Sequence, residues 1–272
     1  MPFSLQDGAA FARDTAKLAG QVLLDTFHQG AIRGTLKDDQ TLVTEADHQA
    51  DEIIRGAIRE TYPEHAVLSE EAQTDFPEGH THVWVIDPLD GTTNFSQGLH
   101  HWGVSIALLI NGQPALGALH FPAVGELYTA IRGRGANLNG HPLVLRENPS
   151  PANHHFFMHC SRTHQRFRVH VPQKERTLGA AAYHFCALGK GAADLVLETT
   201  VKLWDIAAAW LILEEAGGET AVLELDQQKG LVLVDSPFPP RTGDDYKSIN
   251  FTVLAADTPY HLDELVQHLE PR

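Results

Sequence analysis

Cysteine is scarce in this chain. Its 272 residues include 2 cysteines, Cys160 and Cys186, and no CxxC pair, which argues against a disulfide framework and fits a reducing cytoplasm. Long apolar runs are missing too. No segment approaches the ~18 residues of a membrane span. The opening "MPFSLQDGAA" has neither the basic flank nor the apolar run of a signal peptide. Basic side chains are outnumbered, 20 Lys and Arg against 35 Asp and Glu, for a formal net charge of -15. That balance argues against a nucleic-acid backbone or an anionic membrane as the partner. What is present is an ordinary globular composition, 43% hydrophobic and 20% charged, without low-complexity tracts or repeats. The expectation is a soluble cytoplasmic protein with room for a sizeable core. Its acidity poses a question. An anionic ligand would need the carboxylates neutralised locally, and a divalent cation is the obvious agent.

Hydrophobic periodicity predicts alternating element types. Ala12, Ala16, Ala19, Leu23 and Phe27 recur at helical spacing until Gly30. "TLVTEADHQADEIIRGAIRETYP" predicts a second helix, with Thr44 and Asp47 at capping-box spacing and an apolar face of Ile53, Ile54, Ala57 and Ile58. "HAVLSEE" and "THVWVID" read as strands ending in Glu70-Glu71 and in Asp87. Residues 103–131 read as an antiparallel meander with a turn at Asn111-Gly112 and a break at Pro122. Further on, "HHFFMHCS", "ADLVLE", "TAVLEL" and "INFTVLAA" read as strands. "GAAAYHFCALGKG", "DIAAAWLILEEAGG" and a segment from Pro259 read as helices. The Pro/Asn-rich stretch at 147–155 suggests a division into an N-terminal half, 1–146, and a C-terminal half, 147–272.

Acidic residues gather at ends of elements: Asp47, Glu70 with Glu71, Asp87 with Asp90, and Asp205. Such ends are where side chains from several elements meet in one cleft. In "WVIDPLDGTTNF" the proline fixes a turn that can aim Asp87 and Asp90 at one point, with the Leu89 carbonyl as a further oxygen. Mg²⁺ takes a few carboxylates plus water and substrate phosphate. Gly91 permits close backbone approach, and the Gly91 and Thr92 amides at a helix start can hold a phosphate. Structural roles fit each piece equally well. Asp-Pro-x-Asp-Gly is a good turn, Glu70-Glu71 a solvated loop, and Asp205 and Asp47 are helix caps.

Together these residues resemble a known family. "VTEAD" (43–47), "SEE" (69–71), "DPLDGTTNF" (87–95) and "WDIAAAWLILEEAGG" (204–218) are similar to the ordered motifs of the inositol monophosphatase family. Those enzymes are Mg²⁺-dependent, lithium-sensitive phosphomonoesterases, and the resemblance covers about residues 11–218. It implies an α/β fold, a layered αβαβα sandwich of the inositol monophosphatase and fructose bisphosphatase type, and a homodimer. It also implies roles. Glu70, Asp87 and the Leu89 carbonyl would hold a first Mg²⁺ that carries the attacking water. Asp87, Asp90 and Asp205 would hold a second, with Glu70 helping a weaker third. Thr92, oriented by Asp47, would act on the water. Glu198, seven residues before Asp205, stands where the family contacts substrate hydroxyls. Gly179, Ala180 and Ala181 match a pocket segment that usually reads Gly-Ser-Ala. Ala180 in place of that serine, and Thr200 where glycine is common, fall on substrate-contacting positions. The implied reaction is hydrolysis of a small phosphate monoester, inositol 1-phosphate first. Histidinol phosphate and the sugar or nucleotide bisphosphates are alternatives. A non-catalytic phosphate-binding regulator is the rival from another class.

Histidine is abundant, at 17. His155 and His159 would share one strand face, and His100-His101 follow the central motif, but no HExxH or paired-cysteine string marks a zinc site. Solvated or pocket-lining roles are expected for them, and a histidine-based zinc hydrolase is a third reading. The "GRGANLNG" glycines (133–140) are spaced unlike a nucleotide loop and predict a turn.

Overall fold

The computed structural model describes residues 3–30, 34–36, 42–72, 74–145, 156–234 and 236–272. The chain begins with α1 (Leu5–Gln29), a short hairpin of β1 (Gly34–Leu36) and β2 (Leu42–Thr44), and α2 (Glu45–Thr61). Next come β3 (Ala66–Ser69), β4 (His82–Asp90), α3 (Thr92–Ser96), β5 (Gly103–Ile110), β6 (Gln113–Phe121) and β7 (Glu126–Ile131). β8 (Ala136–Leu138) and β9 (His141–Leu143) complete this part. Beyond the undescribed residues lie β10 (Phe156–His159), α4 (Thr163–Arg166), β11 (Phe167–Val169), β12 (Lys174–Arg176) and α5 (Ala181–Gly189). The remainder is β13 (Leu195–Val201), α6 (Leu203–Ala216), β14 (Glu219–Asp226), β15 (Gly230–Val234), β16 (Phe251–Ala256), α7 (Pro259–Gln267) and β17 (Leu269–Pro271).

Local chemistry explains the boundaries. Ser4 accepts the Asp7 N–H at the start of α1, and Gly30 closes the helix in the left-handed region at φ 72°. Ala12, Ala16, Ala19 and Leu23 are fully buried, as their spacing predicts. α6 is apolar and buried along most of its length, with its acidic residues Asp205, Glu214 and Glu215 near the two ends, and it ends at left-handed Gly217. A helix of that composition belongs inside a protein.

It sits there. A seven-stranded sheet has the order β3-β4-β5-β6-β7-β8-β9, and a six-stranded sheet the order β12-β10-β13-β16-β14-β15. α1 and α2 cover the outer face of the first sheet, burying Ala16 and Ile54 against Trp84 and Ile106. α5 and α6 fill the space between the sheets, where Ala207, Leu211 and Phe185 join strand residues of both. α7 lies on the far side of the second sheet, with Leu262 and Leu265 against Leu197 and Leu254. The layers are therefore αβαβα. Gly117 lets α6 approach closely, since a Cβ there would stand 3.1 Å from the Ala208 Cα. Among the described residues no helix is long and apolar enough to cross a membrane.

Two details differ from the sequence reading. "GRGANLNG" does contain a turn, but its middle forms β8 and extends the first sheet. β11, β12 and β17 are short strands without an apolar pattern to announce them. The 147–155 stretch proposed as a boundary, His155 included, lies outside the described residues.

Both sheets break register where they approach each other's helices. On β4, Asp87 pairs with Ser105 and Asp90 with Gly103, so β4 carries an extra residue there. On β13, Glu198 pairs with Val253 and Val201 with Phe251, again one residue more than its partner strand. Bulges of this kind bend a strand and re-aim its side chains.

Candidate active site

A cleft of about 550 Å³ opens between the two bulges. From the first half it is lined by Glu70, Asp87, Leu89, Asp90, Gly91 and Thr92. From the second half come Gly179, Ala180, Ala181, Glu198 and Asp205. Asp47 stands directly behind Thr92, whose Oγ1 lies 3.0 Å from Asp47 Oδ1. Every site residue expected from the sequence is thus brought to one place.

The structural and functional readings of the aspartates turn out to be compatible, because a carboxylate has two oxygens. Asp47 is the third residue of α2, and its Oδ2 accepts the Thr44 N–H at 2.9 Å. Its Oδ1 is left for Thr92. Asp205 is the third residue of α6, with Oδ2 accepting the Lys202 N–H at 2.8 Å. Asp87 Oδ1 accepts the Leu89 N–H at 2.9 Å, which holds the bulge in shape. Asp90 accepts the amides of Ala181 at 3.2 Å and Ala182 at 3.0 Å, one on each oxygen. The carboxylate thereby caps α5 and ties the two halves together across the cleft. The oxygens of Asp87, Asp90 and Asp205 keep further lone pairs for a cation, whereas Asp47 Oδ2 also accepts the Thr44 hydroxyl.

Electrostatics fit a cation as well. Asp87 is held well above the usual carboxylate range, first by burial and then by the charges of Glu70, Asp205 and Asp90. Asp205 is raised by burial and then by Asp90 and Glu70. Burial pushes Asp90 up to about 7, although the Ala181 amide pulls the other way. Among the described residues lining the cleft, the basic side chain is Arg162, which donates to Thr200 Oγ1 at 3.3 Å. Buried carboxylates that repel one another, joined by a backbone carbonyl, form an oxygen donor set suited to a hard divalent ion.

Two glycines make the close packing possible. Gly91 has φ 84° and leaves no room for a side chain, since a Cβ would sit 2.8 Å from the His101 carbonyl oxygen. Gly179 has φ 81°, and its missing Cβ would sit 2.6 Å from Asn94 Oδ1. Asn94 itself donates to the carbonyls of His101 and Leu178, both at 2.6 Å.

The inositol monophosphatase family model matches residues 4–270. The chain belongs to that family. Among curated relatives, a histidinol-phosphatase of Chlorobaculum parvum is 34% identical over 214 residues, covering 76% of this chain and 82% of its own. A Nus factor SuhB of Pasteurella multocida is 35% identical, covering 75% and 80%. The solved inositol monophosphatase of Anabaena (Nostoc) sp. PCC 7120 superposes with a TM-score of 0.75 at 26% identity, over 98% of each chain.

Within this inositol monophosphatase fold, several supporting residues escape sequence reasoning. Asp51 is buried one helical turn beyond Asp47, accepts the Ser69 hydroxyl at 2.5 Å and pairs with Arg55 at 2.6 Å. It anchors the strand end that carries Glu70. The i, i+4 spacing of Asp47 and Asp51 on one helix face was the available signal. His184 is equally buried. Its Nε2 accepts the Leu178 N–H at 2.9 Å, so Nδ1 carries the proton and donates to Glu198 Oε1 at 2.5 Å. Burial pushes His184 down to about 4 and Glu198 up to about 8. His100 and His101 are not among the residues lining the cleft, and their rings pack against those of Phe27 and Tyr183.

Proposed function

We propose that this protein is a Mg²⁺-dependent phosphomonoesterase acting on a small phosphorylated polyol, with inositol 1-phosphate as the leading substrate. Its family and its structural neighbours are phosphatases. One observation carries the finer reading. Glu70, Asp87, Asp90, Asp205 and the Leu89 carbonyl line one cleft, with the Thr92–Asp47 pair at its edge. Glu70, Asp87 and Leu89 would hold one Mg²⁺, and Asp87, Asp90 and Asp205 a second, with Glu70 available to a third. Bound there, the ions would lower the pKa of a water and offset charge on the phosphate oxygens.

The chain's own groups supply positioning. Thr92 Oγ1 is 3.0 Å from both Asp47 Oδ1 and the Leu89 carbonyl, and it has one proton to give. Donation to Asp47 leaves a hydroxyl lone pair to accept a proton from water, and leaves the Leu89 oxygen for a cation. Burial raises the Asp47 pKa, which suits a group that receives protons. α3 has 5 residues, too short for a full macrodipole. Any phosphate contact there comes from the Gly91 and Thr92 amides themselves. The Ala181 amide is already taken by Asp90, so Gly179 and Ala180 shape the pocket wall while Glu198 meets substrate hydroxyls. Hydrolysis of phosphate esters asks little covalent chemistry of a protein, and positioning with charge stabilisation suffices.

A second reading, histidinol phosphate as substrate, is favoured by the Chlorobaculum parvum relative and by the buried acid Glu198, which suits an ammonium as well as a hydroxyl. Lithium inhibition and a homodimer belong to the same proposal and rest on the family resemblance, and a cytoplasmic location rests on the scarce cysteine. The test is phosphate release from inositol 1-phosphate, histidinol phosphate, fructose 1,6-bisphosphate and adenosine 3',5'-bisphosphate, with Mg²⁺ and with EDTA. Mg²⁺-dependent turnover of the first is expected. A clear preference for the second substrate transfers the assignment, and equal turnover in EDTA overturns it.

A further inference from the structure

Outside the carboxylate cleft, three potential ligands from three elements converge. His159 ends β10, His164 lies in α4 and Glu175 is central in β12. Their ligand atoms lie within 4.8 Å of one another. His159 Nε2 is 3.0 Å from Glu175 Oε2, and His164 Nε2 is 2.7 Å from the same oxygen. His159 is buried, while His164 and Glu175 are open to solvent.

His159 Nδ1 lies 3.0 Å from the Cys160 carbonyl oxygen, which can accept and cannot donate, and Thr177 Oγ1 stands 3.4 Å from the same nitrogen. With a proton on Nδ1, Nε2 faces the Glu175 carboxylate, and a proton or a metal ion can join the two. A backbone carbonyl at the other ring nitrogen is the outer-sphere arrangement found behind metal-bound histidines.

We propose that His159 Nε2, His164 Nε2 and Glu175 form a zinc site, separate from the carboxylate cleft, with water in the fourth position. Two imidazoles and a carboxylate are a borderline donor set that suits Zn²⁺ and is poor for Mg²⁺. Zinc bonds of about 2.0–2.2 Å place tetrahedral ligand atoms roughly 3.3 Å apart. The contacts to Glu175, at 3.0 and 2.7 Å, need to open by about 0.3 and 0.6 Å, and any pair near the 4.8 Å limit needs to close, which the solvent-facing His164 and Glu175 side chains permit. The ion would clasp edge strand β12 and α4 to β10. Between His159 and His164 runs the turn carrying Cys160, Ser161 and Arg162, which line the cleft. The site is thus a brace for that wall.

The test uses the full chain, stripped with EDTA, dialysed and loaded with saturating Mg²⁺, then titrated with Zn²⁺ by calorimetry. Zinc K-edge absorption at one equivalent supplies a second readout. Expected is one tight zinc per chain with imidazole scattering in its shell. Affinity should drop at least tenfold in His164→Ala and in Glu175→Gln, while Asp205→Asn leaves it unchanged. Both first substitutions are at exposed side chains, so folding should survive. Equal zinc affinity in wild type, His164→Ala and Glu175→Gln would overturn the site, as would zinc lost in Asp205→Asn alone. An all-oxygen zinc shell would also overturn it. None of these outcomes depends on whether the protein hydrolyses phosphate.

Discussion

Two bulged strands approach the same cleft, and they differ in what they bring. β4 delivers Asp87 and Asp90, and the β3 end beside it adds Glu70. Burial, and then the charges of Glu70, Asp205 and Asp90, raise the Asp87 pKa. β13 delivers Glu198, whose company is a neutral histidine, and whose bulge residue Thr200 contacts Arg162. On the proposed reading, the same backbone irregularity serves a charge-dense wall for the ions on one side and a sparsely charged wall for the substrate on the other. Asp90, bonded to the α5 amides of the second half, sets the spacing between them. On this account β4-side changes should cost turnover for every substrate, and β13-side changes should alter which substrate is preferred.

The largest effect is expected from Asp87→Asn, which removes an oxygen donor between the two ion positions. The rate constant should fall by at least roughly 10³-fold, about 4 kcal/mol of barrier, with an unchanged circular dichroism spectrum. Thr92→Val keeps the side-chain volume and deletes the proton given to Asp47. A drop in kcat of roughly 10²–10³-fold with little change in KM is the expected kinetic signature. Asp51→Asn loosens the strand end bearing Glu70. It should raise the Mg²⁺ concentration for half-maximal rate by about tenfold in direct titration, with most of kcat recovered at high Mg²⁺.

Glu198→Gln shifts the comparison to the other wall and has a pH signature. The Glu198 acid is pushed up to about 8, so the fold keeps its proton after the unfolded chain has lost it. That stabilisation is complete at low pH and is lost as pH rises toward about 8. His184, pushed down to about 4, acts in the opposite sense, its contribution being lost as pH falls. From about pH 6.5, the ordinary histidine value, up to about 8, His184 no longer opposes Glu198, and Asp90, pushed up to about 7, acts in the same sense, so the comparison with Glu198→Gln isolates the Glu198 share. Melting of the Mg²⁺-loaded wild type should therefore decline across that window, and Glu198→Gln should flatten the decline. Parallel slopes would contradict it. Ala180→Ser should have the smallest effect, altering the preference between inositol 1-phosphate and histidinol phosphate by about threefold or less, one neutral hydrogen bond's worth.

Much of the proposed ion-binding wall was legible in the sequence, because its residues are contiguous or stand at element ends. Asp87, Leu89, Asp90 and Thr92 occupy one short stretch, Asp47 stands at capping-box spacing from Thr44, and Asp205 opens an apolar run, although α6 begins two residues earlier, at Leu203. Periodicity showed a long amphipathic α1, a largely apolar α6 and the strands between, while the layered sandwich was implied by the family resemblance. The other wall was less legible for physical reasons. His184 sits in an apolar helix, and only tertiary packing puts its Nδ1 against Glu198 fourteen residues on. The bulges leave no mark in a period-2 pattern. β12 reads Lys-Glu-Arg, fully exposed, so nothing predicted a strand there or Glu175 beside His159 and His164. Asp51 was visible by spacing, but its partner Ser69 is eighteen residues away.

The division of labour between the walls is tested most directly by the kinetics of Asp87→Asn and Glu198→Gln on inositol 1-phosphate and histidinol phosphate at saturating Mg²⁺. The account predicts that Asp87→Asn lowers both turnovers by the same large factor and leaves their ratio unchanged. It predicts that Glu198→Gln changes the ratio of the two kcat/KM values by at least about tenfold while kcat on one substrate stays near wild type. A changed ratio in Asp87→Asn, or uniform loss in Glu198→Gln, would contradict it.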